Sequence, residues 1–371
     1  MNLIPELLSG GHVQAEVNGC LGLITLNRPE AMNALTLPMI RDLTRLLQHW
    51  HVHPAIQAVV LAGRMREGKA PAFCAGGDIR FFHRAALAGD PALGDFFTEE
   101  YALNHLIHHY AKPYIALMDG IVMGGGMGIS QGAKLRVLNE RSRLGMPEAH
   151  IGLFPDVGGG YFLGQCPGAT GEWLALTGQS LGAGDAIHLG LGDVFVPEAS
   201  WNGLLDVFWR EAQHSAEHVI ATVMERAELA PDPLWLERRS AIDDCFGASD
   251  LVAIEAALQA SAAPWTAKAL QQMQANSPLA MAISLELVRR GRHLSLADDL
   301  RLERNLVHWC FEPASRGAHC ETLEGIRALA IDKDHAPHWQ PATPLDLSQV
   351  EVLRHFSDPW PVGLHPLAGL Q

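Results

Sequence analysis

An α/β layered core over residues 1–196, followed by a mostly helical region over residues 197–371, is the fold class this sequence predicts. Two observations carry it. Short apolar runs of buried-strand type alternate with helical stretches up to about residue 146, and the runs at 56–61 and 114–118 are each followed by a glycine-rich turn. From about Thr170 onward the apolar spacing becomes mostly helical. Strand, turn and helix in repetition imply helices layered on a sheet.

The elements follow in order. Residues 12–17 and 21–26 read as strands paired around Asn18-Gly19, a strong hairpin dipeptide. Thr36 is placed to cap a helix whose apolar face is Leu37, Ile40, Leu43, Leu47 and Trp50, ending before Pro54. The runs 56–61 and 114–118 are buried strands, and 135–138 and 142–145 continue the pattern. Glu99 and Glu100 sit in a helical stretch, with one turned to solvent and the other inward. Further on, Leu285, Leu287 and Val288 recur near the helical period, and Leu296, Leu300 and Leu306 do so less regularly. Pro231 and Pro233 separate helices in the Ala- and Trp-rich stretch 197–270.

Composition narrows the function classes. Hydrophobic residues make up 48% of the chain and charged ones 18%, the balance of a compact globular protein. A formal charge of −14 with no basic stripe argues against a nucleic-acid surface, yet leaves room for an anionic small molecule. Six cysteines scattered without CxxC spacing point to a reducing compartment. Residues 1–10 carry no basic and apolar leader pattern, and no apolar run approaches about 18 residues. A soluble, cytoplasmic protein is the expectation.

Chemistry concentrates in three glycine-rich turns and two carboxylates. The turns are Phe73-Cys74-Ala75-Gly76-Gly77-Asp78, Met123-Gly124-Gly125-Gly126-Met127-Gly128 and Gly158-Gly159-Gly160. Glycine lets a backbone approach a ligand closely, and two N–H groups from separate loops converging on one point make an oxyanion hole. The second turn lacks the GxGxxG spacing of a dinucleotide site. Gly128-Ile129-Ser130-Gln131-Gly132 matches GxSxG, but the preceding glycines already make the turn, which puts Ser130 inside a helix rather than on a nucleophile elbow. His49, His51 and His53, and His105, His108 and His109, match no structural zinc spacing. Glu148 is surrounded by Leu144, Met146, Ile151, Leu153 and Phe154; burial of that kind raises a carboxyl pKa and suits it to act as a base. Asp156 opens the third glycine run, whose free N–H groups are placed to hold its charge or a ligand.

At these residues the chain resembles the crotonase (enoyl-CoA hydratase/isomerase) superfamily, and within it the hydrolase branch. The resemblance rests on residues 22–29, on Ala72-Phe73-Cys74-Ala75-Gly76-Gly77-Asp78-Ile79-Arg80, on residues 123–128 and 148–162, and on residues 324–335 with Trp339-Gln340-Pro341. It spans about residues 10–345 and is weakest across 197–270; the segments 148–162 and 331–335 are what separate the hydrolases from other crotonases. The resemblance implies a spiral of ββα units with a C-terminal helical region used in homo-oligomer contacts. It implies that Gly77 and Gly125 supply the oxyanion-hole N–H groups and that Glu100, Gly125, Glu148 and Asp156 line the acyl site, Glu148 and Asp156 being catalytic. Arg80 falls where the superfamily approaches the nucleotide, and Lys333 where it contacts the CoA phosphates. Lys69-Ala70-Pro71-Ala72-Phe73 is longer than the usual Lys-Ala-Phe, which puts a CoA role for Lys69 in doubt. Gly128 stands where the hydratases carry their first catalytic glutamate, and this favours hydrolysis over hydration.

The implied activity is hydrolysis of a short branched 3-hydroxyacyl-CoA, 3-hydroxyisobutyryl-CoA of valine breakdown, with no metal or redox cofactor, since CoA is part of the substrate. Glu148 either attacks the thioester or activates water, while Asp156 and Glu100 orient the reacting groups. The alternatives are a hydratase or isomerase on the same fold, a Ser130-dependent hydrolase, and a CoA-binding protein without turnover.

Overall fold

The structure is a computed structural model that describes residues 3–65, 68–201, 203–213 and 215–371, so the first two residues of the opening segment lie outside it. The chain forms two compact units whose segments interleave along the sequence. Residues 1–77, 102–144 and 181–234 make the first, and residues 78–101, 145–180 and 235–371 the second.

The first unit is built on β-structure. Strands β1 (Val13–Asn18) and β2 (Leu21–Leu26) pair antiparallel, with Asn18 opposite Leu21. The two-residue loop is therefore Gly19-Cys20, one residue later than the Asn18-Gly19 dipeptide predicts. Asn18 is retained in the strand, where its side-chain amide donates to the Trp209 carbonyl at 2.7 Å. Gly19 takes the left-handed conformation at φ +53°, and a Cβ there would lie 2.2 Å from the Ala212 carbonyl oxygen. Strands β3 (Ala58–Gly63), β4 (Ala72–Cys74), β5 (Tyr114–Leu117), β6 (Ile121–Met123), β7 (Leu135–Leu138), β8 (Arg143–Gly145) and β9 (Val194–Phe195) follow. They form a six-stranded sheet in the order β1-β2-β3-β5-β7-β9 and a three-stranded sheet in the order β4-β6-β8. From β2 onward the larger sheet is parallel.

Thr36 does cap the Leu37–Val52 helix, accepting from Met39 N at 3.5 Å, and Leu37, Ile40, Leu43, Leu47 and Trp50 are all buried. Residues 197–234 do not leave the sheet, contrary to the expected division at 196. The Leu204–Glu211 and Ala216–Met224 helices bury Leu204, Phe208, Val219 and Val223 against Leu23, Val60, Ile115 and Val137 of the strands. Pro231 and Pro233 then fall between helices, as predicted.

The second unit is helical. Its long elements are Pro278–Gly291 and Leu296–Ser315, and it includes the opening turns of Ala92–His108. The Pro278–Gly291 helix packs on the short Gly159–Gly164 helix. Approach is so close that a Cβ on Gly291 would lie 2.0 Å from the Gly160 carbonyl oxygen.

Candidate active site

In the first unit the two upstream glycine turns come together. Strand β4 ends at Cys74, and the Leu35 N–H donates to the Gly76 carbonyl at 2.8 Å. Gly76 has φ +103°, and a Cβ on it would lie 3.2 Å from the Met123 carbonyl oxygen and 3.5 Å from Gly125 N. A Cβ on Gly126 would lie 2.3 Å from the Cys74 carbonyl oxygen. Bare backbone at 76 and 126 is what allows the two turns to touch. Gly125 opens the Gly125–Gln131 helix, and the first N–H groups of a helix have no acceptor inside it.

Ser130 lies inside that helix, as its sequence context predicts. Its hydroxyl is fully buried and donates to the carbonyls of Gly126 at 2.8 Å and Met127 at 3.1 Å. It is a helix residue bonded to the preceding turn rather than an exposed nucleophile. Among the described residues, no group of three or more His, Cys, Asp or Glu side chains is arranged to hold a metal ion.

In the second unit the structure brings Glu100, Glu148 and Asp156 together. Glu148 begins a one-turn 3-10 helix, Glu148–Ile151, which Gly152 ends in the left-handed conformation at φ +68°. The turn is pinned from outside. Ser277 N donates to the Ala149 carbonyl at 3.1 Å, and the Thr322 hydroxyl donates to the Gly152 carbonyl at 2.8 Å. Glu100 projects from the Ala92–His108 helix and is buried, whereas its neighbour Glu99 is half-buried. Asp156 accepts a hydrogen bond from the Tyr101 hydroxyl at 2.8 Å.

Buried polar atoms without a partner are rare in proteins. This cluster holds two, Glu100 Oε1 and Glu148 Oε2. Burial pushes Glu148 well above the usual carboxylate range, and the charge of Asp156 adds to the shift. Glu100 is raised well above it by burial first, then by Asp156 and Glu148. Asp156 is raised by burial to about 7, with the Tyr101 hydrogen bond opposing the shift. Three buried carboxyls that repel one another hold their protons above the usual carboxylate range, a setting suited to acid–base chemistry.

The third glycine run is not free to serve Asp156 or a ligand. Glu303 accepts from Gly158 N at 2.8 Å and from Gly160 N at 3.2 Å, and Asp299 accepts from Tyr161 N at 2.7 Å. Gly159 N is taken by the Asp156 backbone carbonyl at 2.9 Å. The expectation fails because two fully buried acids, one turn apart on the Leu296–Ser315 helix, occupy those donors. Burial lifts Asp299 to about 7 and Glu303 well above the usual range. Neither acid, nor Tyr101, is singled out by the sequence. The only available signal was an i, i+4 acid pair on the same helix as Leu300 and Leu306.

Arg80 and Lys333 are both exposed. The Ile79–Ala88 helix that bears Arg80 packs against the Arg327–Ile331 π-turn leading into Lys333. Lys333 has φ +59°. Gly77 and Gly125 belong to the first unit, and Arg80, Glu100, Glu148, Asp156 and Lys333 to the second.

A sequence profile described as enoyl-CoA hydratase/isomerase matches residues 21–356. The chain belongs to the enoyl-CoA hydratase/isomerase family. Among family members, the rat protein named 3-hydroxyisobutyryl-CoA hydrolase, mitochondrial, is 38% identical over 93% of this chain and 88% of its own length. The human protein of the same name is 37% identical over the same shares. A solved structure titled carnitinyl-CoA dehydratase, from Mycobacterium thermoresistibile, superposes with a TM-score of 0.85 at 36% identity, covering 96% of this chain and 98% of that one. An enoyl-CoA hydratase from Rhodobacter sphaeroides 2.4.1 superposes at 0.83 with 36% identity, covering 94% and 98%. The fold of this family member is thus the crotonase fold the resemblance implied. No helix among the described residues is long and apolar enough to cross a membrane.

Proposed function

We propose that this family member is an acyl-CoA thioester hydrolase that converts 3-hydroxyisobutyryl-CoA and water to 3-hydroxyisobutyrate and CoA, a step of valine breakdown. The observation that carries the reading is the buried Glu100–Glu148–Asp156 cluster with two oxygens unspent on any hydrogen bond. Such acceptors suit a water and a hydroxyl-bearing acyl group, both of which donate hydrogen bonds. The relatives named as 3-hydroxyisobutyryl-CoA hydrolases, matched over 93% of the chain, support the same substrate.

In this proposal the N–H groups of Gly77 and Gly125 hold the thioester oxygen as it becomes an oxyanion. Glu148, whose Oε2 is unpartnered, reacts as a carboxylate, attacking the acyl carbon or taking a proton from water. Either route adds one water across the C–S bond and releases CoA as the thiol. Asp156, held by Tyr101, and Glu100 orient the water and the substrate hydroxyl. Arg80 and Lys333 contact the nucleotide and phosphates of CoA. The reaction needs no metal or redox cofactor, because the carboxylates and amides supply its acid–base and electrostatic parts. We further propose that the enzyme works as a homo-oligomer in a reducing compartment. All six cysteines are free and buried, which suits such a setting, and the named relatives are mitochondrial.

The test is a panel of acyl-CoA thioesters with thiol detection. CoA release should be fastest from 3-hydroxyisobutyryl-CoA and slower from isobutyryl-CoA. A second reading, hydration of an enoyl-CoA, is favoured by the two superposed structures, a carnitinyl-CoA dehydratase and an enoyl-CoA hydratase. Consumption of an enoyl-CoA without thiol release would establish it instead.

A further inference from the structure

Among the described residues, Tyr101 supplies the hydroxyl that bonds to the carboxylate cluster. It lies on the Ala92–His108 helix directly after Glu100 and is fully buried. Its hydroxyl donates to Asp156 Oδ2 at 2.8 Å. The ring is held edge-on to Phe97 at 6.1 Å between centroids, and Phe97 in turn packs on Phe311 at 5.8 Å. A phenol so confined has little freedom to rotate away. We propose that Tyr101 is a positioning residue for hydrolysis, whose hydroxyl fixes the Asp156 carboxyl in one orientation and reserves it as the ionised acceptor of the cluster.

The chemistry follows from what a phenol can do. A Tyr hydroxyl that donates to a carboxyl oxygen stabilises the charged carboxylate over the acid. Asp156 therefore ionises ahead of Glu100 and Glu148, which burial and the charge of Asp156 hold protonated to higher pH before Glu148 can react as a carboxylate. The other groups that bear on Asp156 are Glu100 on the tyrosine's own helix, Glu148 on the 3-10 turn, and Glu303 and Cys310 on the Leu296–Ser315 helix. Arg304, on that last helix, is the cation electrostatically linked to Tyr101, and its Nε donates to the Thr98 hydroxyl at 2.9 Å. Among the described residues it is the hydroxyl of Tyr101, and none of these other groups, that donates to Asp156 Oδ2. This inference rests on the hydrolase reading for its catalytic half alone.

The experiment is Tyr101→Phe, read in two ways. In protein labelled with 13C at aspartate Cγ, with Asp156→Asn assigning the resonance, the Asp156 titration midpoint should move up by about one pH unit, the effect of losing one hydrogen bond to a charged group. In the thiol-release assay the acid limb of kcat should move up in step, with KM for the acyl-CoA changing less than about twofold and turnover at neutral pH falling about tenfold. Replacing Tyr101 by 3,5-difluorotyrosine, a stronger donor of nearly the same shape, should move both midpoints the other way and keeps the test available if the Phe variant folds poorly. An unmoved Asp156 midpoint in both variants overturns the proposal. A moved midpoint with an unchanged kcat profile makes Tyr101 a structural residue and overturns its role in hydrolysis. A parent protein that releases CoA from no acyl thioester overturns the hydrolase reading, while the titration still decides whether Tyr101 governs Asp156.

Discussion

In the proposed hydrolysis Glu148 is the residue on which the chemistry turns, because it combines burial, an unpartnered oxygen and a raised pKa. Glu148→Gln keeps the shape and removes basicity and nucleophilicity together. CoA release should fall by at least about 10²-fold, the usual loss for a general base, while acyl-CoA still binds. Retained turnover in that variant would remove Glu148 from the mechanism. The same electrostatics set a pH dependence. The reacting carboxylates must be ionised, and their pKa values are raised, so activity is present at and above neutral pH. It should be lost as pH falls while still well above the range in which an exposed acid titrates, because burial first and the charge of Asp156 second raise Glu148. A pH–kcat profile reads this directly. Ser130→Ala should leave thiol release within a few-fold of the parent, because that hydroxyl is bonded to the Gly126 and Met127 carbonyls of its own helix.

At the level of elements, two glycine-bearing turns carry Gly125 and Glu148 of the proposed site, and each has a distinct failure mode. Gly125→Val should distort the start of the Gly125–Gln131 helix and misplace an N–H, and the loss of one oxyanion donor is worth about 10²–10³ in turnover. A folded, fully active Val variant would make Gly125 a packing residue only. Gly152→Ala introduces a side chain at φ +68° with its Cβ 2.4 Å from the Glu321 carbonyl oxygen. The left-handed backbone alone is unfavourable by about 1–2 kcal/mol for an L-residue, and the collision adds to it, so both the melting temperature and thiol release should drop. These turns were legible in the sequence because glycine spacing and the apolar residues around Glu148 are local signals. So were β1, β2, β3, β5, β7 and β8, whose residues fell within about two positions of their observed ends, and the Thr36 cap; the short strands β4, β6 and β9 were not read from the sequence. The acids Asp299 and Glu303 were not legible, since an i, i+4 acid pair on an amphipathic helix has the pattern of a solvated face until tertiary contacts bury it. Tyr101 carried no signal for the same reason, and the third glycine run was misread because its partners lie well over a hundred residues away. The division at 196 failed where Phe208 and Val219 pack on the sheet, a contact that residue spacing does not encode.

Over the whole molecule, the buried carboxyls of the proposed site and the two acids beside them set a pH dependence of stability. Glu100, Glu148, Asp156, Asp299 and Glu303 are all buried in the second unit, and all five have folded-state pKa values above their ordinary ones. A raised carboxyl pKa means that the folded chain binds the proton more tightly than the unfolded one. Its contribution to stability is therefore fully present below the unfolded value near 4 and is lost as pH rises through the folded value, about 7 for Asp156 and Asp299. The formal charge of −14 acts in the same direction, since acidification relieves the repulsion among surface carboxylates. The melting temperature should accordingly be higher at pH 5.5 than at pH 8, in contrast to a protein stabilised by salt-bridged acids. Glu148→Gln separates the local effect from the global one. At pH 8 the variant no longer loses stability to ionisation of the unfolded glutamate, so it should melt above the parent. At pH 5 both side chains are neutral in the fold and the difference should shrink. Melting curves of the two proteins across that range check it. An inactive variant that is more stable at pH 8 and equal at pH 5 would show that the buried charge is retained for function at the expense of the fold. A variant no more stable than the parent at pH 8 would mean that Glu148 ionises in the fold as readily as in water, and the acid–base reading of the cluster would then have to be given up.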